Sequence, residues 1–224
     1  MIKIYTSPSS QPANLYAVGN TNEQEQCRKI AAALDAILER CGFDSKAGLS
    51  GTMYTRVAES NAWGADLHMP IHTNAFDGKV AGLRIMIFKN GGEAEKIAKA
   101  IMATLAPITP GTSDGISVQP KLYEISDSDA ICVYIEVGFH DNPAEAQWII
   151  DHTEDIAEAI AKGLCNHYGI KYVAAKAEPK QETNAAEKTI YRVQVGAFTV
   201  KANAENLLEK LKALGFSDAF IKEG

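Results

Sequence analysis

The sequence has no long apolar run and no excess of basic residues. No apolar run approaches the roughly 18 residues that a membrane-spanning helix needs, so we expect no membrane span. The 28 acidic residues outnumber the 22 basic ones and give a formal net charge of -6. Because contacts with phosphates need a basic surface, this balance argues against nucleic acid as the main partner.

The sequence also lacks a closely spaced cysteine pair and a secretory signal. Its four cysteines lie far apart and mostly within apolar patterns, which predicts buried free thiols rather than a disulfide or a thiolate metal site. Residues 1–10 contain one lysine and no apolar stretch ending in a small-residue cleavage site. We therefore expect synthesis in the cytoplasm without a signal peptide.

Residues 1–172 alternate strand-like and helix-like patterns, and the chain is 46% apolar, enough for one sizeable core. This alternation predicts an α/β domain with a mostly parallel sheet flanked by helices on both faces. We predict strands over 2–6, 66–72, 83–88 and 131–137. We predict helices over 22–41 and 93–105, and a long one from Pro143 toward His167.

The composition changes after residue 172. Residues 173–188 include a stretch without aromatic or branched apolar residues, AAKAEPKQETNAAEK, which predicts a flexible linker. Beyond it, strand, helix and strand patterns follow over 190–198, 203–214 and 219–221. The region 189–224 is therefore predicted to be a small strand-helix-strand unit, too small to hold a core alone.

Polar residues follow the predicted strands at the edge where parallel sheets bind ligands. Gln11 lies in the loop after the first strand, His72 ends the second, and Glu136 lies within the apolar run ICVYIEVGF. Helical spacing places Glu23 on the core-facing stripe of the first helix and Glu25 on the opposite face. A structural ion pair is an equal explanation for Glu136, as is a favourable helix N-terminus for Glu23.

A histidine and two glutamates at one edge could form a catalytic zinc site, which needs about three protein ligands and an open position for water. The other histidines are weaker candidates. His68 lies on the same strand face, roughly 13 Å from His72, and fits a packed strand residue. His140 fits either a ligand or a surface residue. His152 and His167 fit structural or exposed positions on the last helix.

Three segments carry a family resemblance: TNEQEQCRKIAAAL, RVAESNAWGADLHMPIHTNA with the downstream GLRIMIF, and IEVGFHDNPAEAQWI. They resemble, in family order, the zinc-dependent N-acetylmuramoyl-L-alanine amidases of the amidase-3 type. The resemblance implies hydrolysis of the amide between N-acetylmuramic acid and L-alanine in peptidoglycan. It implies Zn²⁺ as cofactor, Glu23 and His72 as zinc ligands, and Glu136 as the catalytic glutamate. Arg56 and Asn74 match family positions that hold the site together.

The chain departs from this family in the loop after the first strand. The family has a histidine ligand there in a glycine-rich loop, whereas this loop reads TSPSSQPAN. Gln11 is the best candidate for the third ligand, although an amide binds zinc more weakly than imidazole does. An amide that stabilises the loop or contacts substrate is an equal explanation. Two alternatives follow: a non-catalytic peptidoglycan-binding protein with a decayed metal site, or a zinc peptidase that cuts within the stem peptide.

The tail YRVQVGAFTVKANAENLLEKLKALGF resembles one half of a SPOR repeat, a peptidoglycan-binding module. The resemblances imply three parts: a catalytic domain over 1–172, the linker over 173–188 and a SPOR-like repeat over 189–224. Because such modules comprise two halves, we expect a homodimer through 189–224. The predicted protein is a cell-wall lytic enzyme that acts after release or lysis, either a phage endolysin or a sporulation mother-cell autolysin.

Overall fold

The computed structural model of the chain describes residues 1–175, 195–216 and 219–221. The chain divides into two compact units, Met1–Lys176 and Ala177–Gly224. No helix in the described ranges is long and apolar enough to cross a membrane. The predicted linker over 173–188 falls almost entirely outside the described residues.

The first unit is built on a six-stranded sheet. Its strands are β1 (Lys3–Pro8), β2 (Asp44–Ala47), β3 (Leu67–Asn74), β4 (Arg84–Ile87), β5 (Gly115–Val118) and β6 (Ile131–Phe139). They lie in the order β2-β1-β3-β6-β4-β5, and every neighbouring pair is parallel except β4 with β6. The prediction of a mostly parallel sheet is confirmed.

Six α-helices and a short 3-10 turn accompany this sheet. They are α1 (Glu23–Cys41), α2 (Met53–Trp63), α3 (Glu93–Leu105), the turn Ala106–Ile108, α4 (Tyr123–Ser126), α5 (Pro143–Asp151) and α6 (Thr153–Tyr168). Helix α6 packs against both α1 and α3, whereas α2 and α4 pack against each other. The predicted long helix from Pro143 is in fact two helices, because the backbone of His152 leaves the helical conformation at φ -121° and ψ 30°.

The two faces of the central strands differ in polarity because side chains alternate along a strand. Alternate residues of β3 and β6 enter the main apolar core, which also holds α1, α3 and α6: Leu67, Met69, Ile71, Val133, Ile135 and Val137. The intervening residues face the other side of the sheet, and these include His68, His72, Tyr134 and Glu136. Glu136 therefore interrupts the apolar run without entering the main core.

Helix α1 begins and ends where its sequence predicts. The Asn22 side chain accepts a hydrogen bond from the Glu25 amide, and Gly42 takes the left-handed conformation at φ 92° that ends the helix. Glu23 is fully buried and Glu25 is exposed, which confirms the helix-face prediction. The four cysteines are free and buried, as expected.

Within the second unit, the described residues form one helix, α7 (Lys201–Ala213), at the predicted place. Residues 219–221, predicted as a strand, are not in a strand, and neither are residues 195–198. The rest of the first predicted strand, 190–194, lies outside the described residues. The difference has a physical reason: a pair of strands only a few residues long is marginal without further strands to complete its sheet.

Candidate active site

The candidate site lies at the carboxyl ends of β3 and β6. His72 and Glu136 are direct register neighbours on these adjacent parallel strands and share one sheet face. Glu23 is the first residue of α1, and Gln11 lies in the loop that follows β1. The sheet therefore brings together all four residues that the sequence singled out.

Two side chains, those of Glu23 and Gln11, converge on one imidazole nitrogen of His72. His72 Nδ1 lies 2.9 Å from Glu23 Oε1 and 3.4 Å from Gln11 Nε2. Asn14 joins the other two side chains, because its Nδ2 donates to Glu23 Oε2 at 2.6 Å and to Gln11 Oε1 at 3.2 Å. Glu23 and His72 are buried, whereas Gln11 is exposed. The cluster is therefore buried on the side of the core and open to solvent on the side of the loop.

Burial and pairing act in opposite directions on the charges of this cluster. Burial by itself would raise the pKa of Glu23, but His72, with further hydrogen bonds from Asn14 and the Thr73 amide, lowers it below its ordinary value. Burial by itself would lower the pKa of His72, but the neighbouring carboxylates of Glu124 and Glu23 raise it. In the absence of metal, the pair is therefore held together by opposite charges.

Glu136 has the electrostatic character of a proton acceptor. Burial, with a smaller contribution from the charge of Glu23, raises its pKa to about 7. These effects outweigh the lowering by the charges of His72 and Arg84 and by the hydrogen bond from Asn74 Nδ2. Asn74 is the last residue of β3, two positions after His72. Its amide therefore fixes the direction of the Glu136 carboxylate while leaving part of that group accessible.

Glu124 is a site residue that the sequence analysis missed. It lies in the short helix α4, buried against the polar face of the sheet, where Oε1 is 3.4 Å from His68 Nε2 and Oε2 is 3.5 Å from His72 Nε2. The His72 contact is ionic rather than a well-aligned hydrogen bond. Ser7 donates to Glu124 Oε1 at 2.5 Å. His72 therefore lies between two carboxylates, one at each ring nitrogen.

Burial by itself would raise the pKa of Glu124, but its hydrogen bonds with His68 and Ser7 and its ionic contact with His72 lower it to about 2. Behind Ser7, the buried Arg56 donates from Nε to the Ser7 hydroxyl at 3.1 Å. The only available signal for Glu124 was an acidic residue in the apolar segment KLYEIS, and nothing local connects it with a histidine 52 residues earlier.

We expect the Glu124→Ala variant to lose about 3 kcal/mol of unfolding free energy, because removing one partner from a buried ionic cluster leaves its cations uncompensated. Urea denaturation at pH 7 measures this loss. The matched control is Glu154→Ala, which removes an exposed carboxylate from α6 and should change stability by less than about 0.5 kcal/mol. Equal stability of both variants would contradict a buried ionic cluster.

The remaining histidines have partners elsewhere. His68 contacts Glu124 and stacks on Tyr5, which agrees with a packed strand residue. The Nδ1 atom of His140 lies 2.9 Å from the Thr73 hydroxyl, and its ring stacks on Tyr16. His152 Nδ1 contacts the Trp148 carbonyl, and His167 contacts Glu93. None of these contacts brings a second imidazole to Glu23 and His72.

The donors at His72 fit a catalytic zinc ion, with one weak ligand. Two ligands of a tetrahedral zinc ion with bonds of about 2.0 Å lie roughly 3.3 Å apart. The separations of 2.9 and 3.4 Å at His72 Nδ1 are close to this spacing. Glu124 at the far nitrogen provides the outer carboxylate that commonly orients a metal-binding imidazole. Within the described ranges, no three His, Cys, Asp or Glu side chains form a metal cluster, so the third position depends on Gln11.

Comparisons with known proteins identify the family of the chain. A model of the Amidase_3 family, described as N-acetylmuramoyl-L-alanine amidase, matches residues 10–166, and a SPOR domain model matches residues 157–224. The chain is 27% identical, over 99% of its length and 85% of the relative, to the sporulation-specific N-acetylmuramoyl-L-alanine amidase of Bacillus subtilis (strain 168). It is 26% identical, over the same shares, to the N-acetylmuramoyl-L-alanine amidase CwlM of Bacillus licheniformis.

Among solved structures, the catalytic domain of CwlV, an N-acetylmuramoyl-L-alanine amidase from Bacillus (Paenibacillus) polymyxa var. colistinus, has the same fold. The two superpose with a TM-score of 0.67 at 16% identity, over 76% of this chain and 100% of that one. The family match over residues 10–166 spans more than half of the sequence. The chain therefore belongs to the N-acetylmuramoyl-L-alanine amidase family.

Proposed function

We propose that this peptidoglycan amidase is zinc-dependent and that Glu23, His72 and Gln11 hold the ion. The observation that carries the proposal is the convergence of Glu23 Oε1 and the Gln11 amide on His72 Nδ1, within 2.9 and 3.4 Å. A half-turn of the terminal amide, which gives up the hydrogen bond from Asn14 Nδ2, presents the Gln11 oxygen in place of its nitrogen. Zinc bound there supplies a Lewis acid for the scissile carbonyl and lowers the pKa of a bound water.

Glu136 is the proton carrier of the proposed reaction. With a pKa raised to about 7 by burial, its carboxylate accepts a proton from the attacking water at neutral pH and passes it to the leaving amine of L-alanine. Asn74 holds the carboxylate in position throughout, and Glu124 keeps the His72 ring oriented from its other side. The bond that breaks joins the lactyl group of N-acetylmuramic acid to L-alanine.

Digestion of purified cell walls by the zinc-loaded protein, followed by mass spectrometry, tests the proposal. The amidase releases intact stem peptides with a free L-alanine amine. A zinc peptidase would instead leave L-alanine attached to the sugar and cut further along the stem. A decayed wall-binding protein would release nothing, and either of these two outcomes would refute the proposed reaction.

The rate should depend on pH through Glu136. Because the base must be deprotonated, kcat/KM should rise about tenfold per pH unit on an acid limb and then level off. This limb should lie at or below pH 7, because the charge of bound zinc lowers the pKa of Glu136 from the value of about 7 that burial gives. In Asn74→Ala the carboxylate loses a hydrogen bond that lowers its pKa, so this limb should move to higher pH. The control Asn61→Ala removes a half-buried amide that donates to the Asp127 carbonyl and should leave the limb in place. If the limb stays in place in Asn74→Ala, the pH dependence of the rate does not come from Glu136.

The SPOR match places a peptidoglycan-binding region in the C-terminal part of the chain. Because the first compact unit ends at Lys176, deleting 177–224 should weaken sedimentation with purified walls by about tenfold or more and leave cleavage of soluble muropeptides within about twofold. An equal loss of both activities would refute this division.

The homodimer through 189–224 stays a prediction, which light scattering across a range of protein concentrations tests. A monomer at every concentration would refute it. The similarity to a sporulation-specific amidase favours action on the wall of a sporulating mother cell over a role in phage lysis.

A further inference from the structure

A groove of about 330 Å³ is lined in part by Asn74 and Arg84, the neighbours of Glu136, and the proposed reaction assigns no part of the substrate to it. It is lined by Asn74, Ala75, Phe76, Val80, Arg84 and Phe139. Its volume suits a small ligand, since such sites commonly measure about 300–1,000 Å³. A second groove, of about 370 Å³, lies away from the reacting groups. Its lining includes Phe88, which follows the last residue of β4, and Ile131, the first residue of β6.

Arg84 belongs to the same row of residues as the reacting groups. His72 pairs with Glu136 across β3 and β6, and Glu136 pairs with Arg84 across β6 and β4. Directly paired residues share a sheet face, and neighbouring strands lie about 4.8 Å apart. Arg84 therefore lies one strand beyond Glu136 and two strands beyond His72.

The Arg84 guanidinium is positioned without being neutralised. It donates to the Ser113 hydroxyl at 2.8 Å and to the Leu83 carbonyl at 3.2 Å, and its Cζ lies 5.7 Å from the centre of the Phe139 ring. It forms no ion pair with any of the described residues. A guanidinium has five N–H donors, so these contacts leave donors for a ligand.

The charges around the site call for such a cation. Glu23, Glu124 and Glu136 lie on or beside the row, and the whole chain carries a net charge of -6. Zinc held by Glu23 and His72 would offset the charges beside it, whereas an anionic peptide that passes Glu136 toward β4 is repelled by that carboxylate unless a positive group faces it. Arg84 supplies that group at the wall of the groove.

We propose that Arg84 binds a carboxylate on the second residue of the stem peptide and so determines substrate specificity. The inference rests on the proposed function, because that function fixes which bond lies between His72 and Glu136. Two extended residues span about 7 Å, which reaches from that bond past Glu136 to the Arg84 position. In peptidoglycan the second stem residue is a D-glutamate linked through its side chain, and its α-carboxyl group is either free or amidated. Arg84 selects the free carboxylate.

Two synthetic substrates test the proposal: muramoyl-L-Ala-γ-D-Glu-L-Lys and the same molecule with an α-carboxamide on the second residue. We expect the wild-type protein to favour the carboxylate by about tenfold or more in kcat/KM, since hydrogen bonds to charged groups are the strong ones. In Arg84→Gln this ratio should fall to about 1. Any indirect effect of Arg84 on Glu136 acts on both substrates alike and cancels in the ratio.

Arg40→Gln is the matched control, because it removes an arginine from the far end of α1 and should keep the wild-type ratio. A wild-type ratio within twofold of 1, or an unchanged ratio in Arg84→Gln, would overturn the proposal. If the wild-type protein cleaves neither substrate, the proposed function fails separately. Calorimetry with the free peptide L-Ala-γ-D-Glu-L-Lys and its carboxamide then tests whether Arg84 binds the carboxylate. Tighter binding of the carboxylate peptide, lost in Arg84→Gln, supports the site. Equal affinities for the two peptides refute it.

Discussion

The Glu136→Gln variant should lose about 10³-fold in kcat for the release of stem peptides, within the range typical of a general acid-base group. Glutamine has nearly the same shape as glutamate but cannot accept the proton from the attacking water. The hydrogen bond with Asn74 survives after a half-turn of the new amide, so the local structure should be retained. Single-substrate kinetics on a soluble muramoyl peptide at pH 8 measure the loss, since Glu136 is ionised there in the wild-type protein.

Two controls separate a chemical loss from a structural one. Zinc content and melting temperature of Glu136→Gln should match the wild-type values, because Glu136 is not among the proposed ligands. Glu25→Gln removes an exposed carboxylate from α1, two residues from Glu23, and should keep kcat within about twofold. If Glu136→Gln retains more than a tenth of the wild-type kcat, another group carries the proton.

The His72→Ala variant should lose more than about 100-fold in zinc affinity, since even the outer partners of metal ligands contribute 10–100-fold. His72 is the central ligand of the proposed zinc site, with Glu23 and Gln11 both beside its Nδ1 atom. Competition with a chelator of known affinity measures the loss in the purified protein without any assay of activity. His167→Ala is the matched control, because His167 pairs with Glu93 and should leave the zinc affinity unchanged.

Variants of Gln11 test directly whether this residue takes the place of the family's loop histidine. Gln11→Ala should lower zinc affinity by no more than about tenfold, because an amide is a weak ligand, whereas Gln11→His should raise it by about tenfold or more. The exposed position of Gln11 gives the larger ring space to enter the cluster. If the wild-type protein takes up no zinc and Gln11→His restores binding, the chain is the decayed wall-binding protein that the missing histidine suggested.

Local patterns were sufficient for four of the six strands of the sheet, for helices α1, α3 and α7, and for the positions of four candidate site residues. Helical spacing placed Glu23 inward and Glu25 outward, and the structure has them so. Strand ends placed His72 and Glu136 at one edge, and they are register neighbours. These predictions succeeded because the periodicities of helices and strands are local properties, readable from a few consecutive side chains. The prediction of one long helix failed at His152, where the backbone leaves the helical conformation despite an unbroken apolar pattern.

The residues that surround the reacting groups could not be predicted in this way. Ser7 and Glu124 are hydrogen-bonded across 117 positions of the chain, and Arg84 joins the row because β4 pairs with β6 in the antiparallel direction. The order and direction of strands depend on how whole elements pack, and no short window of sequence records them. The sequence by itself determined the fold class, the family and the polar residues at the strand ends. Tertiary structure decided which carboxylate orients His72 and which cation faces the groove, because both depend on contacts between distant segments.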